Sequence, residues 1–185
     1  MHKALGKLIC LVSWPKSCLL RLISLRPAQP ICLGNRMTIK IVLTDNHQVI
    51  RQGLALLLAG EPDMHVVGEA ENYCTTIKLI QEFSPQVVLM DISMPDLNGV
   101  EATRRILSQY SRIKVIGLSM HSDSLFVLNM LNAGASGYLL KDCALEELVK
   151  AIRTVVSQKI YLSSNLSNLL VSDLANNFSF DGSRD

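Results

Sequence analysis

The apolar run at residues 87–90, followed at once by Asp91, constrains the fold of this chain more than any other stretch. Four consecutive apolar residues indicate a strand buried on both faces, as in the interior of a parallel sheet. Pro95 and the pair Asn98-Gly99 then turn the chain into an amphipathic helix. This order places Asp91 at the carboxyl edge of the sheet, where such folds bind ligands. Taken alone, Asp91 would be read as a solvated acid in a turn.

The same alternation of apolar strands and amphipathic helices continues along the chain. Strand patterns occur at residues 39–43, 64–68, 87–90, 115–119 and 137–140. Five segments show helical spacing: one begins at about Gln48, one ends at Phe83, one begins at Val100, and two cover residues 122–133 and 145–156. Five strands alternating with five helices predict an α/β fold with a doubly wound, five-stranded parallel sheet that is covered on both faces.

The two ends of the chain do not follow this pattern. Residues 1–36 are basic, and three prolines prevent one long helix there, so we considered a signal peptide, a membrane-surface segment and a non-native extension. The longest uncharged run before Pro15 is too short to span a bilayer. We expect an extension outside the fold, a domain over residues 37–162, and a tail over 163–185 with a short helix at Leu166, Leu169, Leu170 and Leu174 before disorder from 178.

Charge and cysteine content exclude several function classes. Six of the 18 basic residues and none of the 16 acidic residues fall in 1–36, so the remainder carries a net charge of −4. A mildly acidic body gives no electrostatic reason to expect nucleic-acid binding. The five cysteines show no C-x-x-C spacing and are odd in number, so they give no indication of a metal site. Free cysteines suit a reducing cytoplasm.

Polar residues follow four of the predicted strands. Because parallel strands end at a common edge, we expect these residues to meet there: Asp45, Asn46, Asp91, Ser119 and Lys141. Clustered acidic oxygens suit Mg²⁺, and a carboxylate can attack phosphorus while an ammonium and a hydroxyl stabilise the phosphoryl charge. Singly, Lys141 would be a surface lysine and Ser119 a turn residue.

Four motifs carry a resemblance to a known family: Thr44-Asp45-Asn46-His47, Leu89-Met90-Asp91-Ile92-Ser93-Met94-Pro95, Leu118-Ser119-Met120-His121 and Gly137-Tyr138-Leu139-Leu140-Lys141-Asp142. Through them, residues 37–162 resemble the receiver domain of bacterial two-component response regulators, specifically of the NarL/FixJ (LuxR-type) subfamily. The resemblance implies a flavodoxin-like fold.

The resemblance also implies a role for each site residue. It makes Asp91 the phosphoacceptor, assisted by Ser119 and Lys141. It assigns the Mg²⁺ ligands to Asp45, Asn46, Asp91 and the backbone carbonyl of Ser93. Ser119 and Tyr138 match the family's switch pair, although Tyr138 would otherwise be read as an edge aromatic. His47 and His121 flank the site, and without a third nitrogen or sulfur ligand they are assigned no metal role.

Two departures from the family pattern stand out. Asn46 occupies a position that usually holds a second aspartate, which puts metal binding in question. The helix-turn-helix domain that normally follows the receiver does not fit into residues 163–185, so we expect a stand-alone receiver or a fragment without direct DNA binding.

The resemblance implies that this chain accepts a phosphoryl group from a sensor histidine kinase. Its full-length relatives regulate transcription. The chain would turn over no external substrate, insert into no membrane, and signal through a partner surface, with a homodimer as an open option. Two rivals remain. An aspartate-nucleophile phosphohydrolase would need a general acid at the position of Ser93, and a pseudo-receiver would be an interaction module whose metal site has decayed.

Overall fold

The computed structural model describes residues 38–120, 122–163, 166–168 and 171, in which strands and helices alternate. The strands are β1 (Ile39–Thr44), β2 (Met64–Ala70), β3 (Val87–Asp91), β4 (Lys114–Ser119), β5 (Gly137–Leu140) and β6 (Tyr161–Leu162). The helices are α1 (Gln48–Leu58), α2 (Tyr73–Phe83), α3 (Gly99–Gln109), α4 (Ser124–Asn132) and α5 (Leu145–Val156).

All strands belong to one parallel sheet with the order β2-β1-β3-β4-β5-β6. This arrangement confirms the predicted doubly wound α/β fold. The predicted number of strands was wrong, because β6 adds a sixth at the edge beside β5. Its pairing is supported by the Tyr161 N–H, which donates to the carbonyl of Ser136 at 2.9 Å. A strand of two residues is too short to show an apolar periodicity of its own.

Short polar side chains fix where three of the helices begin. The Oδ1 atoms of Asn72, Asn98 and Asp123 accept hydrogen bonds from backbone N–H groups in the first turns of α2, α3 and α4, at 2.8–2.9 Å. Such caps satisfy N–H groups that have no partner within the helix. Asn98 therefore ends the loop after β3 and starts α3 in one step.

The sheet separates two hydrophobic cores. Strand residues alternate between the two faces, as the twofold strand period requires. One core contains Val42, Val88, Met90, Val115 and Tyr138 with side chains from α2, α3 and α4. The other contains Ile41, Leu43, Leu89, Ile116 and Leu139 with side chains from α1 and α5. Every residue of β3 is buried, as expected for the central strand of a sheet that is covered on both faces.

The strand register brings the polar strand ends to one edge. Asp91 lies opposite Leu118, and Ser119 lies opposite Leu140. The Lys141 N–H donates to the carbonyl of Ser119 at 2.8 Å, so β5 delivers Lys141 one residue past the end of β4. This edge is the one predicted to hold the site.

The predictions for the two ends of the chain fall largely outside the described residues. Leu166 is buried in a helical stretch over 166–168, whereas Leu169, Leu170 and Leu174 lie outside the described part. Residues 1–36 and the end of the tail also lie outside it, so the domain limits at 37 and 162 stay predictions. Within the described ranges, each helix is too short or too polar to cross a membrane.

Candidate phosphoryl-acceptor site

Asp45, directly after β1, is buried and held by its own loop. Its Oδ1 accepts a hydrogen bond from the backbone N–H of His47 at 2.8 Å, and the imidazole Nδ1 of His47 lies 3.1 Å from the same oxygen. The Arg51 guanidinium in α1 donates to the backbone carbonyl of Asp45 at 2.6 Å. Asn46, between the two, is exposed. The start of α1 thus fixes the Asp45 carboxylate at the edge of the sheet.

Asp91, the last residue of β3, is only 1% exposed. Its Oδ1 accepts a hydrogen bond from the Ser93 N–H at 2.9 Å. Its Oδ2 is buried and has no hydrogen-bond partner among the described residues. A buried carboxylate oxygen without a partner costs free energy, so a ligand that bonds this atom would be stabilised here.

Lys141 connects the two carboxylates. Its Nζ lies 2.5 Å from Asp45 Oδ2 and 3.0 Å from Asp91 Oδ1, and its side chain is only 4% exposed. One buried ammonium shared by two buried carboxylates leaves the cluster with one net negative charge. Within a site of low dielectric, that charge favours a further cation or an electrophile.

Ser119, at the end of β4, and Tyr138, in the neighbouring strand β5, form a second polar pair. Both are buried, with Tyr138 fully so, and their side chains share a hydrogen bond. Burial raises the pKa of the Tyr138 phenol above its ordinary value of 10.0; the Ser119 hydrogen bond lowers that pKa by a smaller amount, and the Asp123 carboxylate adds to the increase. The phenol is therefore a neutral hydrogen-bonding group in the core and not an edge aromatic.

The loop after β3 is seated on α3 through Gly99. A Cβ atom at this position would lie 2.2 Å from the carbonyl oxygen of Asp91 and 2.8 Å from the Cα of Ile92. The Gly99 N–H donates to the Ile92 carbonyl at 3.1 Å. Only glycine permits so close an approach of two backbones. The helix start and the Asp91 backbone are consequently fixed together.

Cys143 lies two residues after Lys141 but adds no second nucleophile. Burial, followed by the charges of Glu147 and Asp142, raises the pKa of its thiol to about 11. A thiol that stays protonated at neutral pH reacts poorly, because the thiolate is the reactive form.

The arrangement brings three of the predicted residues, Asp45, Asp91 and Lys141, into direct contact, with Ser119 and Tyr138 adjoining each other. Ser93 is exposed and contributes its N–H to Asp91. His121 lies outside the described residues. From the sequence we assigned His47 no metal role, and that assignment stays a prediction. In the structure His47 lies near both carboxylates: one potential ligand atom each from Asp45, His47 and Asp91 lie within 4.8 Å of one another.

These residues fit a hard divalent cation. The site offers carboxylate oxygens, a buried oxygen without a partner, and a net negative charge, which are the features that Mg²⁺ selects.

Comparison with known proteins identifies the family. The model of the response regulator receiver domain matches residues 41–153. The transcriptional regulatory protein DegU of Brevibacillus brevis is 39% identical over 139 residues, which cover 75% of this chain and 59% of DegU. The response regulator GacA of Pseudomonas protegens is 38% identical over 133 residues, covering 72% of this chain and 62% of GacA. The chain thus spans about three-fifths of the length of these relatives.

Solved structures agree with the sequence relatives. A LuxR-family two-component response regulator from Aurantimonas sp. SI85-9A1 superposes with a TM-score of 0.71 at 32% identity, covering 75% of this chain and 99% of that one. The signal receiver domain of the putative response regulator NarL from Mycobacterium tuberculosis gives a TM-score of 0.62 at 31% identity, covering 65% and 97%. With its matching family model, sheet topology and strand-end residues, this chain belongs to the response regulator receiver domain family.

Proposed function

We propose that this chain accepts a phosphoryl group on Asp91 from a sensor histidine kinase and passes the change to a partner protein. The observation that carries the proposal is the state of the Asp91 carboxylate. One oxygen is held by the Ser93 N–H and the Lys141 ammonium, while the other is buried without a partner among the described residues. A carboxylate held on one side and open on the other is oriented to act as a nucleophile.

In the proposed step, an Asp91 oxygen attacks the phosphorus of a phosphohistidine. A new O–P bond forms, the P–N bond breaks, and the bonding pair leaves with the donor imidazole, which yields an acyl phosphate on Asp91. Lys141 keeps a positive charge within 3.0 Å of this carboxylate and offsets the charge on the phosphoryl oxygens. The Ser119 hydroxyl, at the end of the adjacent strand, is the neighbouring hydrogen-bond donor.

Mg²⁺ would be held by Asp45, Asn46, Asp91 and the backbone carbonyl of Ser93, and when bound it supplies charge neutralisation for the phosphoryl group. The chain's own residues do the rest. Arg51 and the His47 N–H hold Asp45 in place from the start of α1. Ser93 orients Asp91 from the loop that Gly99 fixes against α3.

The signal is proposed to leave the site through Ser119 and Tyr138. Tyr138, in β5, is buried in the same hydrophobic core as Val127 and Met130 of α4, and its phenol is hydrogen-bonded to Ser119. Movement of the Ser119 hydroxyl toward a phosphoryl group would break or change that bond. The face formed by α4, β5 and α5 would respond, and this face is where we place the partner, or a second copy of the chain.

A second candidate function is that of a pseudo-receiver, a binding module without efficient phosphorylation. Asn46 favours it, since an exposed neutral amide replaces the second carboxylate of the family. The phosphohydrolase alternative has less support because Ser93, at the general-acid position, cannot supply an acidic proton at neutral pH. We therefore propose that the chain has no enzyme activity on an external substrate. We also propose that it is located in the cytoplasm, and that relatives with a further domain regulate transcription.

The test is intact mass spectrometry after incubation with acetyl phosphate and Mg²⁺. We expect one added phosphoryl group that hydroxylamine removes, as it does for an acyl phosphate. Asp91→Asn should abolish the gain, whereas Asp96→Asn, an exposed aspartate in the same loop, is the matched control and should label like the unmodified chain. Equal labelling of Asp91→Asn would reject the assignment, and absence of label in the unmodified chain would favour the pseudo-receiver.

A further inference from the structure

We infer that residues 160–163 together with Leu166, here called the edge segment, form a releasable cover on β5, and that phosphoryl acceptance on Asp91 loosens this cover. The inference rests on the proposed function, since it names the part of the chain that responds to a change at Ser119 and Tyr138. It goes beyond that proposal because the first group to receive the signal is then the chain's own tail.

The edge segment lies directly beside Tyr138. Strand β6 pairs in parallel with β5, and Leu162 is the register partner of Tyr138. Leu162 also packs against the hydrophobic core that contains Tyr138, and Leu166, which is 1% exposed, is buried in that core. Tyr138 and the edge segment are therefore neighbours in the sheet and share one core.

The contacts that hold the edge segment on the α5 side are weak. Strand β6 has two residues and is the shortest of the six described strands. The Tyr161 hydroxyl donates to Glu147 Oε1 at 3.4 Å, and Lys150 Nζ lies 5.9 Å from the centroid of the Tyr161 ring. Both distances are near the upper limit for interactions of their kind. Local opening begins where contacts are few and weak, so we expect this segment to open before the central strands.

The turn that leads from α5 toward β6 is strained at Gln158. Its backbone is left-handed, with φ 65°. The Gln158 N–H donates to the Val155 carbonyl at 3.0 Å, and the Lys159 N–H donates to the Thr154 carbonyl at 3.3 Å. This pattern closes many helices and usually has glycine at the left-handed position, because a side chain there costs free energy. Opening of the turn relieves that strain and lowers the cost of releasing the edge segment.

The direction of the effect follows from the hydrogen bond between Ser119 and Tyr138. Both side chains are buried, and the phenol is bonded to the Ser119 hydroxyl. If that hydroxyl turns toward a phosphoryl group on Asp91, the phenol loses this partner inside an apolar core. Loss of a partner by a buried polar group costs free energy. Opening of the edge segment admits water to the core around the phenol and reduces that cost, so phosphorylation loosens the segment.

The test is hydrogen–deuterium exchange of the full chain, measured by mass spectrometry on the peptide that contains Tyr161 and Leu162. Acetyl phosphate with Mg²⁺ should speed exchange of this peptide at least about threefold in the unmodified chain, as expected for loss of one hydrogen bond, and should not do so in Asp91→Asn. Ser119→Ala removes the same hydrogen bond, so it should speed exchange equally without acetyl phosphate. Thr76→Ala is the matched control: it also loses a buried hydroxyl, but one that bonds Thr44 on β1, and should leave the peptide unchanged.

A second pair of variants tests the attachment of the edge segment itself. Leu166→Ala removes a buried side chain from the core around Tyr138, so it should speed exchange of the same peptide at least about tenfold. Ile160 belongs to the same segment but is 68% exposed. Ile160→Ala should therefore keep the exchange rate within about twofold of the unmodified chain.

Three results would overturn the inference. One is a chain that gains a phosphoryl group by intact mass while exchange of the peptide stays the same or slows. Another is equal exchange in Ser119→Ala and Thr76→Ala, and the last is equal exchange in Leu166→Ala and Ile160→Ala. If the unmodified chain gains no phosphoryl group, the proposed function fails, and the two variant comparisons still decide whether the edge segment is coupled to Ser119.

Discussion

Asn46 carries a neutral amide where the receiver family usually has a carboxylate, and its effect on Mg²⁺ can be measured by a single substitution. Asn46→Asp restores one negative charge beside Asp45 and Asp91. Hydrogen bonds to charged groups contribute about 1.5 to 3 kcal/mol, so we expect Mg²⁺ to bind about tenfold tighter or more. Labelling of Asp91 at limiting Mg²⁺ should also speed up.

Titration of both forms with Mg²⁺ checks this prediction, with stability in metal-free buffer as a second measurement. Without metal, the added carboxylate should lower the free energy of unfolding, because it repels two buried carboxylates. If the substituted chain binds no tighter and labels no faster, position 46 is not a ligand, and the pseudo-receiver becomes the better description.

Tyr138 gives the molecule a dependence on alkaline pH. Burial raises the pKa of its phenol in the folded chain above 10.0, while the unfolded chain keeps the ordinary value. Between these two values the folded state binds more protons than the unfolded state, so the free energy of unfolding falls as pH rises. Urea unfolding at pH 8 to 11 should show this loss, and Tyr138→Phe should reduce its slope. An identical slope in both forms would contradict the prediction.

At the site, the sequence was sufficient to predict which residues at the ends of the strands lie close together. Asp45, Asp91 and Lys141 meet because parallel strands share an edge, and that argument needs no loop geometry. The contact between His47 and Asp45 could not be predicted in the same way. It depends on the backbone angles of a single loop residue, which residue type does not determine.

At the scale of elements, α3 packs against the Asp91 loop through Gly99. A methyl group at position 99 tests how far the backbone of this loop can shift. Gly99→Ala places a Cβ 2.2 Å from the Asp91 carbonyl oxygen, which is backbone and cannot rotate away. We expect a loss of about 1 to 3 kcal/mol in the free energy of unfolding, together with slower labelling of Asp91.

The matched control for this prediction is Gly53→Ala. Gly53 lies inside α1, and a Cβ there would meet no atom within 4 Å. Alanine is favoured over glycine inside a helix, so this change should stabilise the chain by about 0.5 to 1 kcal/mol. Denaturant titration of both variants decides: a Gly99→Ala chain as stable as the unmodified one would show that the loop yields easily.

Among the elements, those with a clear apolar period were predicted most closely. The bounds of β5 and α5 agree with prediction, because a helix such as α5 repeats its buried side chains over twelve residues. β2 extends two residues beyond the predicted Gly68, to Ala70. Its last residue is paired by the N–H of Asp45, which donates to the Ala70 carbonyl at 3.1 Å. Pairing of this kind overrides the local weakness of Gly68 and Glu69.

For the molecule as a whole, we predict that residues 1–36 are dispensable for folding. The two described cores use residues from Ile39 to Leu166, and the described sheet is complete without the extension. A chain that begins at Met37 should keep its melting temperature within about 2 °C, which corresponds to less than about 1 kcal/mol. Calorimetry of both chains checks this; a fall of more than about 5 °C would mean that the extension packs on the fold.

The order of the strands also decides when the site comes into existence during synthesis and folding. Asp45, Asp91 and Lys141 stand at the ends of β1, β3 and β5, far apart in sequence, so each of their contacts closes a long loop. Contacts of this kind form late and slowly, since the loop entropy must be overcome before they stabilise anything. A nascent or partly folded chain therefore carries no assembled carboxylate and ammonium cluster. Only a chain whose sheet has closed as far as β5 holds the complete cluster, so the phosphoryl acceptance that we propose is confined to folded copies of the chain.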